Sequence, residues 1–258
     1  MVDIHSHVLC GMDDGASTME ESLALLEIAR ESGTTDIVAT PHCNPQYAYQ
    51  PELVDRAVAK LNARAGGKPK VHRGCEFHLT FDNIDLLVNQ PSAYTINGGQ
   101  YLLIECPDSH VGKHTEPVLE RLLERGLVPI VTHPERNPML QRKIDRVAAW
   151  VELGCLTQLT AFSITGAFGG AAKTAAVQLL ESGLAHVVAS DAHNPKHRHT
   201  SLREAYAAVQ SRCGHAAAVL LFEANPRRIV EGLPVPGGRQ PYGRPPGLLR
   251  RLFSRRPA

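Results

Sequence analysis

The sequence predicts a parallel α/β architecture, on three observations. Apolar strand-like runs alternate with helical patterns in seven strand-then-helix units of roughly 25 to 40 residues each. Glycines close the helical stretches, at Gly33, Gly66, Gly126, Gly154 and Gly183. Histidines and carboxylates collect where the strands end, not along their length. No repeat and no linker precedes residue 234, so residues 1–233 are read as one domain and 234–258 as a basic Pro/Gly/Arg-rich tail, extended and disordered.

Residues 2–7 read as the first strand, with His5 and His7 two apart and therefore on one side of it. Thr18, with Glu21 three later, resembles a capping box opening a helix that runs to about Ser32. The strand 36–40 runs directly into Pro41-His42. Pro51 suits a first helical position, and Leu53, Val54, Ala57, Val58 and Leu61 share one face of the helix that follows. Residues 70–77 form a strand holding Glu76, 82–90 a short helix, and 101–105 a strand ending in Glu105. A helix over 115–125 precedes the strand 127–132, which ends at His133. The next helix reaches about Leu153, before a strand over 155–161 and a helix over 170–182. The last strand, 185–190, ends in Asp191-Ala192-His193, and helices near 200–213 and 215–223 complete the domain.

Composition narrows the functional classes. At 43% hydrophobic and 5% aromatic residues, the core is mostly aliphatic, and no apolar run reaches the ~18 residues of a membrane span. The N-terminus lacks a charged-then-apolar signal pattern, so the expected compartment is the cytoplasm. The six cysteines form no CxxC pair and are read as free thiols, and none has an arginine six residues downstream. The Cys-x5-Arg loop of thiol-based phosphatases is therefore absent. From Pro234 onward there are six arginines and no acid; removing them from the formal charge of +1 leaves the preceding residues near −5, which argues against a nucleic-acid-binding body.

Neutral imidazole is a preferred ligand for zinc-like ions, but two histidines do not make a site. The weight lies in the number of such residues at strand ends: His5, His7, His42, Glu76, Glu105, His133, Asp191 and His193. In a closed β/α barrel those ends converge on one face. Glu76 and Glu105 each adjoin apolar runs, where an unpaired carboxylate is costly to bury and metal coordination removes that cost.

The motifs Asp3-Ile-His-Ser-His7, Asp13-Asp14-Gly15, Thr40-Pro-His42, Gly74-Cys-Glu76, Ile104-Glu105, Thr132-His-Pro-Glu-Arg136 and Ala189-Ser-Asp-Ala-His-Asn194 resemble the polymerase and histidinol phosphatase (PHP) superfamily. The resemblance is closest to bacterial manganese-dependent tyrosine phosphatases that partner the tyrosine kinases of capsule and exopolysaccharide synthesis, and it runs from residue 1 to about Val230. It implies a distorted seven-stranded (β/α)7 TIM-like barrel, the PHP fold, holding three divalent ions. His5, His7, Glu76 and Asp191 are implied for the first ion, a bridging Glu76 with Glu105 and His133 for the second, and Asp14, His42 and His193 for the third. Manganese is the implied metal, and the mixed His and carboxylate donors also admit iron, zinc or cobalt. Arg136 and Arg198 match arginines that bind substrate phosphate in that family, a task suited to a guanidinium fork. The implied reaction is phosphotyrosine hydrolysis by metal-activated hydroxide, needing no protein nucleophile.

Two segments depart from the family pattern. Thr160-Ala-Phe-Ser-Ile-Thr-Gly166 stands where the family has roughly Asn-Ala-Gly-Ser-Leu-Thr-Gly, and Arg198-His199-Thr200 follows where Arg-Pro-Pro is usual. The other enzymatic reading is a small-molecule PHP phosphatase such as a histidinol-phosphate hydrolase; Asp14 and Glu105, where other branches often carry histidine, favour the tyrosine phosphatases. A catalytically silent kinase-binding scaffold is the third. His72 and His186 are read as packed or surface groups, and none of His78, His110, His114, His197 and His199 is expected to be a ligand. Cys43, Cys75 and Cys106 are expected to pack as small apolar groups. In the tail, Leu248, Leu249, Leu252 and Phe253 share one side of a short helical stretch with Arg250, Arg251 and Arg255 opposite, a pattern suited to peripheral contact with anionic lipid at the inner membrane face.

Overall fold

The structure, a computed structural model, describes residues 1–80, 83–107, 111–112 and 114–239. His110 and the tail from residue 240, including the Leu248–Phe253 stretch, lie outside the described residues. The strands are β1 (Val2–Ser6), β2 (Asp36–Ala39), β3 (His42–Cys43), β4 (Lys70–Arg73), β5 (Glu76–His78), β6 (Tyr101–Glu105), β7 (Val128–Thr132), β8 (Leu156–Thr160) and β9 (Val187–Ala189). They form two sheets, ordered β1-β2-β4 and β3-β5-β6-β7-β8-β9, in which every pairing is parallel. The helices are α1 (Met19–Glu31), α2 (Pro51–Ala65), α3 (Ile84–Asn89), α4 (Pro91–Tyr94), α5 (Thr115–Glu124), α6 (Pro138–Gln141), α7 (Ile144–Leu153), α8 (Ala161–Thr165), α9 (Gly169–Glu181), α10 (Arg203–Cys213), α11 (His215–Val219) and α12 (Asn225–Val230). None among the described residues is long and apolar enough to cross a membrane.

Local signals acted as expected at the helix ends. Thr18 Oγ1 accepts the Glu21 amide at 3.2 Å, while the Glu21 carboxylate reaches back to the amide and hydroxyl of Ser17 at 2.8 and 2.7 Å, one residue earlier than a standard capping box. Pro51 opens α2 and Gly66 closes it at φ +65°, a conformation that carries no steric cost for glycine. Elsewhere the structure divides what the sequence read as continuous. The strand expected over 70–77 breaks at Gly74-Cys75 into β4 and β5, and the one entering Pro41 breaks into β2 and β3. A Cβ at Gly74 would lie 2.7 Å from Val38 Cγ1, so the break brings the chain too close to β2 for any side chain. The helix expected to end near Leu153 is two, α6 and α7, and α8 was not anticipated.

What positions the site is the alternation along each strand. One apolar cluster draws Val2 and Ile4 from β1, Val38 from β2, Tyr101 and Leu103 from β6, Ile130 from β7, Leu156 from β8 and Val187 and Ala189 from β9. Continuing each row by two residues, the side-chain period of a strand, reaches Thr40 and His42, Glu105, Thr132, Gln158 and Asp191. Each inner row thus starts apolar and turns polar at its C-terminal end. The first strand departs from strict alternation: Asp3 pairs with Ile37 and Ser6 with Ala39, three residues against two. That extra residue, a bulge, switches the parity and brings His5 and His7 onto the side that Val2 and Ile4 occupy below them. β1 also meets the chain beyond β9, where His7 N–H donates to Ala192 O at 2.8 Å and Asp191 N–H to His5 O at 2.9 Å. Beyond α12, residues 234–239 run against the domain: Val235 N–H donates to Tyr101 Oη at 2.9 Å and Arg239 reaches Glu152 at 3.3 Å.

Candidate metal centre

The polar ends of these rows meet around one carboxylate. Glu76 is fully buried, and its Oε2 lies 3.2 Å from His5 Nε2, 3.4 Å from His7 Nε2 and 3.1 Å from His42 Nδ1. Its Oε1 takes His133 Nε2 at 2.9 Å and the Thr132 hydroxyl at 3.1 Å. Asp191 Oδ1 faces His5 Nε2, His7 Nε2 and His193 Nδ1 at 3.6, 3.4 and 3.6 Å. Asp14 Oδ1, nearer the surface, lies 3.4 Å from both His42 Nε2 and His193 Nε2. Glu105 stands 3.9 Å from His42 Nδ1 through one oxygen and 3.9 Å from His133 Nε2 through the other. His133 and Asp191 each follow a strand end with a left-handed backbone, φ 32° and 51°, uncommon for side-chain-bearing residues. Amide bonds to Gln158 O at 2.8 Å and His5 O at 2.9 Å hold the two turns in place.

Among the described residues, three groups of donors lie close enough to hold a cation each: His5, His7, Glu76 and Asp191; His7, Asp14, His42 and His193; and His42, Glu76 and Glu105. The first is the set the resemblance implies, and the second adds His7 to its implied set. In the third, His42 takes the place that the resemblance gives His133, its Nδ1 lying 3.1 Å from Glu76 and 3.9 Å from Glu105; His133 is bonded to Glu76.

The donor chemistry fits a cation. Glu76 Oε2 and His42 Nδ1 are both buried and 3.1 Å apart, yet neither has hydrogen-bond geometry with any partner. Two buried polar atoms close together but not aligned with each other are arranged as donors to a shared third atom, and left without one they carry a desolvation cost of about 1–3 kcal/mol each. His5 Nε2 and His7 Nε2 also approach to 3.3 Å, which sets lone pair against lone pair unless a proton or a cation lies between them. Burial acts to lower the pKa of His5 and His7, but Glu76 and Asp191 around His5, and Asp13 beside His7, raise both above the ordinary imidazole value. Burial acts to raise the carboxyls of Glu76 and Asp191, but the histidines, led by His5, hold both well below the usual range. The field of these carboxylates thus favours positive charge at their centre.

Two arginines share the remaining oxygen of Asp191. Arg136, three residues beyond His133, bonds Oδ2, and Arg198 Nη2 reaches the same oxygen at 2.8 Å and the Asp191 carbonyl at 3.2 Å. Asp191 therefore offers Oδ1 to the histidines and Oδ2 to the guanidiniums.

Residues 1–231 match the family model described as capsular polysaccharide synthesis, CpsB/CapC. The chain belongs to the CpsB/CapC family. It is 33% identical over 227 residues to the tyrosine-protein phosphatase YwqE of Bacillus subtilis (strain 168), covering 86% of this chain and 89% of that one. It is 32% identical over 242 residues to the tyrosine-protein phosphatase CpsB of Streptococcus pneumoniae, covering 89% and 98%. A solved structure from work on Bacillus subtilis YwqE and Streptococcus pneumoniae CpsB, described as metal-dependent tyrosine phosphatases, superposes with a TM-score of 0.86 at 32% identity, covering 95% of this chain and all of that one.

Around the centre of this CpsB/CapC chain lies a layer that sequence reasoning missed. Asp13 Oδ2 holds His7 Nδ1 at 2.6 Å and accepts the His42 amide at 3.1 Å, and Gln158 Oε1 holds His5 Nδ1 at 2.8 Å. Such partners fix the tautomer that leaves Nε2 free to ligate. Asp13 had a signal, its place in the Asp13-Asp14-Gly15 motif; Gln158 had only the period-two row of β8. Gly15 is required for closure, since a Cβ there would lie 2.2 Å from His7 O. His78, set aside as a ligand, bonds Glu105 at 2.8 Å instead. His72 and His186 are packed: His72 bonds Asp36 at 2.8 Å, and buried His186 accepts the Thr157 amide at 3.1 Å. The six cysteines are free thiols, and Cys43, Cys75 and Cys106 are buried.

Proposed function

We propose that this chain is a metal-dependent phosphatase acting on phosphotyrosyl protein, with His5, His7, Asp14, His42, Glu76, Glu105, His133, Asp191 and His193 holding three divalent ions. The observation that carries this reading is Glu76 Oε2, buried and in hydrogen-bond geometry with no group, with three imidazole nitrogens within 3.4 Å of it. The two sheets are then one distorted seven-stranded barrel, with β2 and β3 as two parts of one strand, β4 and β5 as two parts of another, and β1 closing against β9. Bound ions supply acidification of water and withdrawal of charge from a phosphoryl oxygen. The chain's own groups do the rest. Asp13 and Gln158 orient His7 and His5, and Arg136 and Arg198 bind the phosphate oxygens.

The names of YwqE and CpsB point to phosphotyrosine, and the family description to capsular polysaccharide synthesis, so the substrate we infer is a phosphotyrosyl tail of a tyrosine kinase in that pathway. Manganese is the metal inferred, with iron, zinc and cobalt accommodated by the same donors. Residues 1–233 act as the phosphatase domain, 234–239 run back against it, and the basic part of the tail beyond Arg239 rests on anionic lipid at the inner face of the membrane.

Metal content and turnover test the reading together. The manganese-loaded chain is expected to hydrolyse a phosphotyrosyl peptide far faster than histidinol phosphate, to lose activity on chelation and to regain it with added manganese. A preference for histidinol phosphate would move the chain to the small-molecule branch; full metal occupancy without turnover on either would make it a scaffold.

A further inference from the structure

We propose that Phe168 is a positioning residue that holds Arg136 and Arg198 together as one phosphate clamp, an inference that rests on the phosphatase reading above. The two guanidiniums come from loops 62 positions apart in the chain, and both lie against one ring: Arg136 Cζ is 4.8 Å and Arg198 Cζ 5.6 Å from the Phe168 centroid. Each is within the range of a cation–π contact. Like charges placed this close repel, and their shared partner Asp191 Oδ2 belongs to a carboxylate whose other oxygen faces three histidines. The ring provides a second attachment for both arginines, independent of that carboxylate, and keeps them together when a phosphate draws them away from it.

The ring is itself braced. Phe168 lies in the turn between α8 and α9, where Gly166 and Gly169 take φ +100° and +90°. Phe162 meets it edge-on, with centroids 5.8 Å apart at 85°, and His199 meets Phe162 at 4.9 Å and 76°. His199 directly follows Arg198, so the aromatic series leads from the clamp back to the chain that supplies it. Core packing does not account for the ring: Phe168 is half-buried and lies outside the apolar cluster that takes in its neighbours Ala161 and Ile164.

The test uses the full chain loaded with manganese and inorganic phosphate as probe, read by titration calorimetry for wild type, Phe168→Ala, Phe168→Leu and Phe168→Tyr. Loss of two cation–π contacts is expected to weaken phosphate binding roughly 5- to 30-fold in both Ala and Leu variants. Phe168→Tyr, which keeps the π face, should bind as wild type, and metal content should be equal in all four. With p-nitrophenyl phosphate the KM of the Ala and Leu variants should rise in step with the calorimetric loss. Leu binding as tightly as Phe would overturn the proposal, because shape alone would then suffice, and so would unchanged affinity in Phe168→Ala or a wild type without affinity for phosphate. A wild type that binds phosphate through Phe168 but hydrolyses no phosphoester would sink the phosphatase reading and leave the clamp standing.

Discussion

Glu76→Gln isolates charge from shape at the centre of the site. The amide matches the carboxylate in size and keeps an acceptor for the Thr132 hydroxyl, so the change removes one negative charge and puts an NH2 donor where Oε2 offered a lone pair. Three imidazole nitrogens lie 3.1, 3.2 and 3.4 Å from Oε2, so a cation shared with them sits within about 4 Å of the lost charge. At an effective permittivity of about 20, one unit charge at that distance contributes ~4 kcal/mol for each unit of the cation's charge, so the loss in affinity is about a thousandfold or more. Glu76 belongs to two of the three donor groups, so two ions should be affected. The assay is metal content by elemental analysis after passage over a chelating resin, with turnover on p-nitrophenyl phosphate and circular dichroism as the folding control. A folded variant depleted of metal and of activity is expected. A variant that keeps its full metal complement through the resin and turns over within tenfold of wild type would refute the claim that this carboxylate is central.

Asp13→Asn keeps an acceptor for His7 Nδ1–H but removes the charge that raises the His7 pKa; metal affinity is expected to fall about 10- to 100-fold, measured by competition with a chromogenic chelator. His186 is buried neutral, with burial pushing its pKa down to about 4 from an ordinary 6.5, so the unfolded chain binds the proton first as pH falls. Its stabilising contribution is therefore complete above about pH 6.5 and lost between there and about pH 4, by roughly 3 kcal/mol. Urea titrations of wild type against His186→Asn should converge on that scale as the pH drops through the window, and a pH-independent difference would exclude the linkage. Finally, the full chain should co-sediment with anionic vesicles at low salt more than a chain ending at Arg239, and equal recovery of the two would remove the membrane contact.

The sequence by itself determined the strand-end chemistry. Glu105 and His133 close apolar runs, His42 follows one and Asp191 follows another, and short-range alternation suffices to mark them because the side-chain period of a strand is a local property. The Thr18 cap and the glycine stops were legible for the same reason. Tertiary structure decided which donors meet. The extra residue between Asp3 and Ser6 exists only as a mismatch against β2, and without it His5 and His7 would face away from Glu76. The break at Gly74 depends on how near β2 approaches, and the sharing of His42 between two donor groups depends on Asp14, Glu76 and Glu105 reaching it from other parts of the chain. Asp13 and Phe168 carry no periodic signal of function, and Gln158 only its place in the row of β8; each matters through a partner that folding brings close, from six positions away for Asp13 and His7 to 153 for Gln158 and His5. Periodicity records which face a side chain takes on its own strand, whereas coordination and clamping depend on distances between strands, which only pairing and packing set.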